Sequence, residues 1–187
     1  MNLDLLTSSY DYILPKELIA SHPAHPADSA KLLVYDRASN TITHSIFSKI
    51  LDFIPQECSI FLNDTKVIKA RIFGNKSSGG KIELLLDKPI GNDQFIVYIK
   101  GKVDIGTILF FENSLKAKII NLNDDGSRIV EFFENDKKID FARLVVLLDN
   151  FGHVPLPPYI QRSDTKEDAV EYQSLFAKVE GAVAAPT

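Results

Sequence analysis

Glycine is distributed very unevenly along this chain, and its distribution separates regions of different kinds. Seven of the nine glycines lie between Gly74 and Gly126, a window with a single proline, and no glycine precedes Gly74. Glycine adopts the positive φ angles of tight turns, so glycines between short apolar runs are typical of antiparallel strands. The window therefore predicts a small all-β barrel or sandwich, with strands at 67–73, 81–86, 94–99, 107–111, 115–122 and 128–133.

The residues before this window show both helical and strand patterns. Pro15 opens a helical turn, and 32–35 is predicted to pair with 41–44 as a hairpin. Apolar residues at helical spacing over 46–54 predict a helix that ends at Pro55, and 58–62 is a predicted strand.

The residues after the window are mainly helical in pattern. The run 139–151 has the apolar spacing of a buried helix, with Gly152 at its C-terminal cap. Thr165, with Asp168 three residues later, is predicted to cap a helix over 166–177. The order predicts an α/β fold in which a larger α/β domain, built from both flanks, carries an inserted all-β barrel. The predicted boundaries are 1–65 and 138–187 for the two α/β segments and 66–137 for the barrel.

Composition and charge exclude several classes of protein. Of the 187 residues, 45% are hydrophobic and 25% are charged, which excludes collagen, a disordered chain and a coiled coil. The net charge of -4 argues against a protein that coats nucleic acid through bulk charge. A lone cysteine, Cys58, is expected to be a small buried residue, and it can form neither an internal disulfide nor a cysteine-rich zinc site.

The two ends of the chain carry different signals. The first twelve residues have no lysine or arginine, unlike a signal peptide, and no run approaches the roughly 18 apolar residues of a membrane helix. We therefore expect a soluble, cytoplasmic protein without a membrane partner. Residues 181–187 are apolar and uncharged, which is unusual for a solvated tail, and we expect the natural sequence to continue beyond them.

A basic segment accompanies the polar triplet Asn63-Asp64-Thr65. Five basic residues face a single acid between positions 64 and 81, a local charge of +4: Lys66, Lys69, Arg71, Lys76 and Lys81. This asymmetry suggests a phosphate-rich partner, although a solvated face explains it about equally well. The triplet itself is equally compatible with a structural turn.

Two glycines precede a lysine and an acid in Gly79-Gly80-Lys81-Ile82-Glu83. Backbone amides beside glycines can approach an anion, but the spacing is not that of a P-loop, and an ordinary hairpin turn is the simpler interpretation. Glu83 lies within an otherwise apolar strand and therefore needs a partner. A salt bridge to a neighbouring lysine is the structural interpretation, and a catalytic carboxylate is the alternative.

Prolines stiffen a third segment, 152–162. Three prolines in four positions present His153, Tyr159 and Arg162 on a rigid support, where they are an imidazole, a stacking ring and an anion-binding fork. A rigid linker is the competing interpretation. The four histidines show no metal-ligand spacing, so we expect no metal site.

Several motifs follow one another along the chain: 14–20, Asn63-Asp64-Thr65-Lys66-Val67-Ile68, Ala70-Arg71, Gly74, 79–83, 152–160, Arg162, Tyr172-Gln173 and 181–187. Together and in this order they resemble the S-adenosylmethionine:tRNA ribosyltransferase-isomerase family of the queuosine pathway, and the match corresponds to the N-terminal portion of that family. The chain departs from the family at Ala27 and Lys31, where arginines are usual, and at Lys69, where proline is usual. The missing arginine at Ala27 puts an anion contact there in doubt.

The resemblance implies a cytoplasmic enzyme that moves and isomerises the ribosyl part of S-adenosylmethionine onto the aminomethyl-deazaguanine at the tRNA wobble position. The product is epoxyqueuosine, with adenine and methionine released and no metal used. It also implies an α/β domain with an inserted barrel, and a further C-terminal half that is absent from these 187 residues. We therefore expect this chain to be inactive alone and to self-associate through apolar surface around 183–186.

The chemistry calls for a general base near the sulfonium. The first candidate is His153 and the second is Glu83; Asp64 is weaker, because the family admits asparagine there. Arg71, Lys81 and Arg162 are candidates for binding phosphate or carboxylate. Tyr159 and Tyr172 are candidates for stacking on a base, and Asn63 with Thr65 for positioning the substrate.

A non-catalytic RNA-binding barrel is the competing function. It predicts binding of tRNA without release of adenine. A conventional methyltransferase would need a glycine-rich turn between its first strand and helix, and the absence of glycine before Gly74 argues against it.

Overall fold

The computed structural model describes residues 3–183, which divide into two compact units. One unit comprises Met1–Ile50 and Pro158–Arg162, and the other comprises Leu51–Pro157 and Ser163–Thr187. The expected apolar surface beyond Val183 lies outside the described residues, while Val183 itself is partly buried against the hydrophobic core. The boundaries predicted at 65 and 137 stay a prediction.

The first unit contains the predicted hairpin. Its strands β1 (Lys31–Asp36) and β2 (Thr41–Ile46) pair in antiparallel register from Lys31 opposite Ile46 to Asp36 opposite Thr41. Short 3-10 helices occupy Leu3–Leu5, Thr7–Tyr10, Lys16–Leu18 and Ala27–Ser29. The turn after Pro15 is therefore confirmed, whereas the helix predicted over 46–54 is a 3-10 helix, Phe47–Phe53.

A closed β-barrel occupies the centre of the second unit. Six strands pair in the order β9-β6-β5-β4-β7-β8, and the pairing of β8 with β9 closes the barrel. The short strand β10 pairs with the C-terminal end of β9. The strands are β4 (Arg71–Lys76), β5 (Lys81–Ile90), β6 (Gln94–Lys100), β7 (Ile108–Phe110), β8 (Leu115–Leu122), β9 (Arg128–Glu134) and β10 (Lys137–Lys138).

Side chains alternate between the inside and the outside of this barrel. Along β5, for example, Ile82, Leu84 and Leu86 are buried while the residues between them are more exposed. Inside, the rings of Phe95 and Phe132 meet edge to face with centroids 5.2 Å apart. The prediction of a barrel from glycine turns and alternating apolar residues is confirmed.

The segment predicted as one strand, 67–73, is two strands that pair with different partners. β3 (Thr65–Val67) lies parallel to β11 (Val179–Ala182), outside the barrel, and β4 begins at Arg71. The predicted strand over 58–62 was wrong, since these residues form no strand and are exposed. Cys58 is likewise exposed, not buried, because no neighbouring strand covers its segment among the described residues.

Helix α1 (Phe141–Phe151) confirms the helix predicted over 139–151. The Asp140 carboxylate accepts a hydrogen bond from the backbone N–H of Arg143 at 2.9 Å and so caps the first turn. The buried face of the helix joins the core cluster of the barrel through Leu144, Val145, Leu147 and Leu148.

The helix predicted over 166–177 was too long. The observed helix, α2 (Asp168–Glu171), spans four residues, and Tyr172 is its C-cap. Only one half of the predicted capping pair is present: the Thr165 backbone N–H donates to Asp168 Oδ2 at 2.7 Å, but the N-cap residue is Glu167 and its side chain makes no capping bond. Continuation is opposed by tertiary contacts, because the next residue, Gln173, uses its amide on β3. Among residues 3–183, no helix is long and apolar enough to cross a membrane.

Candidate active site

The segment after helix α1 is joined directly to the first strand of the barrel. Arg71 and His153 exchange two backbone hydrogen bonds, at 2.8 and 3.2 Å, across an isolated antiparallel bridge. Gly152 permits this approach, because a Cβ atom there would collide with the backbone carbonyl oxygens of Lys69 and Leu148. The bridge places the imidazole of His153 beside the outer face of β4.

The imidazole of His153 is held from two sides. Its Nδ1 lies 2.8 Å from Oδ1 of Asp164, whose Oδ2 accepts the backbone N–H of Val154 at 2.9 Å. The ring of Phe73 meets the imidazole at 70°, with centroids 5.0 Å apart. Because an ionised carboxylate accepts hydrogen bonds, this contact favours the tautomer with hydrogen on Nδ1, which leaves the Nε2 lone pair available.

The exposure of the two partners suits that arrangement. The His153 side chain is 42% exposed, whereas Asp164 is only 16% exposed. The imidazole can therefore meet a ligand while its carboxylate partner stays largely shielded from water. Asp164 was not identified from the sequence, because it lies in a polar stretch without a motif. The one signal in the sequence is its position 11 residues after His153.

Arg71 and Glu83 form the neighbouring charged pair. Arg71 Nε lies 3.2 Å from Glu83 Oε1 without the alignment of a hydrogen bond, while Nη2 donates to the Leu156 carbonyl at 2.8 Å. Glu83 is cross-strand neighbour to Phe73 and to Lys100. The predicted salt bridge of Glu83 therefore exists, but its partner is an arginine, because Arg71 is one strand over on the same outer face.

The triplet Asn63-Asp64-Thr65 forms a turn anchored to the end of the chain. Asn63 Oδ1 accepts the Thr65 backbone N–H at 2.8 Å, and the carbonyl of Asp64 accepts two N–H groups that lead into β11. Gln173 accepts from the Val67 N–H at 2.8 Å and donates to its carbonyl at 2.9 Å. These contacts support the structural interpretation of the triplet. Tyr172 lies next to Gln173, half-buried, at the end of α2.

The basic segment is partly neutralised by acids from elsewhere in the sequence. Lys66 pairs with Glu180 at 3.6 Å, and Lys69 lies 3.9 Å from the carboxylate of Asp149. Lys81 is exposed at the start of β5, opposite Asn75. The charge of +4 counted along the sequence is therefore smaller in space.

Tyr159 and Arg162 belong to the first unit. The ring of Tyr159 is 62% exposed, and Arg162 Nε donates to the carbonyl of Ser21 at 3.1 Å. The structure thus brings His153, Arg71 and Glu83 together in the second unit. Tyr159 and Arg162 are residues of the first unit. Residues 3–183 contain no group of three or more His, Cys, Asp or Glu side chains placed to ligate a metal ion.

Comparison with known proteins supplies the family. The sequence matches the family described as "Queuosine biosynthesis protein" over residues 7–187. It is 61% identical over 183 residues to an S-adenosylmethionine:tRNA ribosyltransferase-isomerase of Aliarcobacter butzleri, covering 98% of this chain and 54% of that protein. It is 57% identical to the protein of the same name from Campylobacter jejuni strain 81-176, covering 100% of this chain and 55% of that protein.

A solved structure is also similar. The S-adenosylmethionine tRNA ribosyltransferase of Thermotoga maritima is 30% identical, with a TM-score of 0.36 over 81% of this chain and 52% of that one. The chain spans about half the length of the curated relatives it matches. Because the family match extends over residues 7–187, the chain belongs to the family described as "Queuosine biosynthesis protein".

Proposed function

We propose that this chain contributes a general base to the transfer and isomerisation of the ribosyl group of S-adenosylmethionine onto tRNA. The acceptor is the amine of the aminomethyl-deazaguanine at the wobble position, the product is epoxyqueuosine, and adenine and methionine leave. One observation carries the assignment of the base: the His153 imidazole, oriented by Asp164 through a 2.8 Å contact, stands half-exposed at the edge of the barrel.

The first step requires a base because the positive sulfur of S-adenosylmethionine acidifies the ribose carbon bonded to it. In the proposed step, His153 Nε2 accepts the proton from that carbon and the electron pair of the C–H bond stays on carbon. That pair forms a C=C bond to the neighbouring ring carbon, and the bond from this carbon to the ring oxygen breaks. The oxygen then forms a C=O bond to the carbon that carries adenine, and the C–N bond breaks so that adenine leaves with the electron pair and takes up a proton. The resulting carbonyl carbon is the electrophile for the amine of the tRNA base.

His153 is the better candidate of the two bases named from the sequence. A neutral imidazole with Nδ1 committed to a carboxylate presents its remaining lone pair outward. By contrast, Glu83 Oε1 forms an ion pair with Nε of Arg71 at 3.2 Å, and the Glu83 side chain is 30% exposed. We therefore assign Glu83 the role of holding the Arg71 guanidinium against the barrel wall.

The other candidate residues receive binding roles under this proposal. Arg71 and Arg162 are the proposed forks for the methionine carboxylate or a tRNA phosphate. Tyr159 and Tyr172 are the proposed stacking rings. Asn63 and Thr65 act through the turn they form, and the reaction requires no metal. Because the proposed acceptor is a tRNA, we also propose a cytoplasmic location.

Release of adenine tests the proposal. We would measure it with the 187-residue chain and with a chimera in which these residues replace the matching portion of the Aliarcobacter butzleri relative, supplying S-adenosylmethionine and tRNA that carries the acceptor base. Loss of a general base costs about 10²- to 10⁴-fold, so we expect His153→Asn to lower the rate of the chimera by that factor. His44→Asn, on an exposed strand of the first unit, is the matched control.

Two outcomes decide between the functions. An unchanged rate for His153→Asn contradicts the assignment of the base. A chimera that binds tRNA tightly but releases no adenine favours the alternative function, a non-catalytic RNA-binding barrel. Release by the 187-residue chain alone would contradict the expectation that it is inactive by itself.

A further inference from the structure

Exposed aromatic rings lie on the outer face of the barrel, beside the candidate base. Phe73 on β4, Tyr98 on β6 and Phe110 on β7 are 52%, 44% and 39% exposed, although each lies in a strand whose alternate residues are buried. Phe110 is directly opposite Asn75, which makes it a diagonal neighbour of Phe73 at about 7–8 Å. The rings therefore share one surface of the sheet.

Lysines interleave with these rings. Lys81 is opposite Asn75, and Lys100 shares a cross-strand row with Phe73. Lys76 Nζ donates to the carbonyl of Lys102 at 3.1 Å, which joins the turn between β4 and β5 to the end of β6. Glu83 lies between Phe73 and Lys100 in that row, but its carboxylate is paired with Arg71 at 3.2 Å. Within residues 3–183, Lys81 and Lys100 form no ion pair, so their charge is available to a partner.

A surface depression lies between the rings of Phe73 and Phe110. It has a volume of about 550 Å³ and is lined by Phe73, Asn75, Lys81 and Phe110, with one acid, Glu112, at its edge. That volume falls within the range of small-ligand pockets, about 300–1,000 Å³. Aromatic faces next to cations suit a nucleobase with its phosphate, since the ring stacks on the base and the lysine pairs with the phosphate.

We propose that this outer face, carried by Phe73, Lys81, Lys100 and Phe110, is a stacking platform for single-stranded RNA. The inference rests on the proposed function, which needs the unpaired bases of a tRNA loop close to the catalytic base. Phe73 provides that connection, because the same ring meets the His153 imidazole at 5.0 Å. A base stacked on Phe73 would thus lie near the His153 imidazole, and the lysines would hold the flanking phosphates.

Binding of a defined RNA tests the platform directly. The probe is a fluorescein-labelled 17-nucleotide stem-loop with a seven-nucleotide single-stranded loop, titrated with the intact chain and followed by fluorescence anisotropy. Stacking contributes about 1–3 kcal/mol per base, so we expect Phe110→Ala to weaken binding about 5- to 150-fold. Phe110→Leu keeps most of the apolar surface but removes the aromatic face, and should weaken binding nearly as much. Phe176→Ala is the matched control, because Phe176 is 38% exposed and lies elsewhere on the unit.

The lysines are tested through salt dependence. Each neutralised phosphate of a single strand contributes about 0.7 to the slope of log affinity against log salt. We expect Lys81→Gln and Lys100→Gln each to lower that slope by about 0.7. Lys88→Gln, at the far end of β5, should leave it unchanged. Thermal unfolding of every variant identifies any loss of binding that comes from loss of fold.

Distinct results would overturn the platform and the proposed function. Equal affinity of wild type and Phe110→Ala, or equal binding of a fully paired duplex of the same length, contradicts the platform even if the chimera releases adenine. Stem-loop binding that depends on Phe110 and Lys81, together with a chimera that never releases adenine, supports the platform and contradicts the catalytic proposal.

Discussion

Gly152 is the position where a single methyl group tests the link between the barrel and the site. An alanine Cβ at this position would lie 2.5 Å from the Leu148 carbonyl oxygen and closer still to that of Lys69. Both obstacles are backbone atoms and cannot rotate away. The φ angle of Gly152 is -72°, which alanine adopts readily, so any cost of Gly152→Ala is steric.

The magnitude follows from the displacement required. Moving the methyl group from 2.5 Å to an ordinary contact of 3.4 Å needs a shift of about 0.9 Å, and overpacking of this kind costs about 1–3 kcal/mol. The shift also strains two short hydrogen bonds, from Gly152 N–H to Leu148 and from His153 N–H to Arg71, worth about 1 kcal/mol each. If both bonds are lost, we expect the free energy of unfolding to fall by about 3–5 kcal/mol.

Urea unfolding followed by circular dichroism measures this loss, and adenine release by the chimera measures its effect on the site. Gly126→Ala is the control, in the turn between β8 and β9. Its φ of +87° makes alanine cost about 1–2 kcal/mol, but a Cβ added there would meet no atom within 4 Å. We expect only Gly152→Ala to slow adenine release. A Gly152→Ala protein within about 0.5 kcal/mol of wild type would refute the steric argument.

Three further predictions address the site, the small parallel sheet and the response to acid. The two oxygens of Asp164 serve His153 Nδ1 and the Val154 N–H, so Asp164→Asn can keep only one acceptor; with that oxygen on Val154, its NH₂ faces Nδ1. The kcat of the chimera should then fall about 10²- to 10⁴-fold with little change in the KM for S-adenosylmethionine; unchanged kcat contradicts the positioning role. Gln173→Leu leaves the backbone N–H and carbonyl of Val67 in β3 without their side-chain partner. The free energy of unfolding in urea should fall by about 1–3 kcal/mol, and an unchanged value would show that water replaces the amide. The hydrogen bond from Lys138 holds the pKa of Glu131 below its ordinary value of 4.5, so its stabilisation is complete above pH 4.5 and is lost as pH falls through the folded pKa. The difference in unfolding free energy between wild type and Glu131→Gln should therefore shrink on acidification, and a difference that grows would contradict this sign.

The barrel was predictable because its signals are local. Strands β5 to β9 begin or end within a few residues of their predicted positions, since alternating apolar residues and glycine turns act over a few residues. The predicted helix over 166–177 failed for the opposite reason. Its pattern is helical, but the tertiary bonds of Gln173 to β3, 106 residues away in sequence, compete with continuation of the helix.

The candidate site divides in the same way. His153, Arg71 and Glu83 were identified from motifs and from an acid in an apolar strand, yet the identity of the partner of Glu83 depended on which strand lay beside β5. Asp164 could not be identified, because nothing in its neighbouring residues distinguishes it from a solvated aspartate. Its role appears only in the 2.8 Å contact with the imidazole.

The amino-acid sequence was enough to predict the barrel, the helix that packs on it, the family and several charged and aromatic residues of the candidate site. The pairings became visible only in the folded molecule: His153 with Asp164 and Phe73, Arg71 with Glu83, and β3 with β11. The difference lies in the sequence distance over which each signal acts. Turn and strand preferences arise from neighbouring residues, whereas a cross-strand or parallel pair is set by the closure of the barrel and by contacts between distant segments.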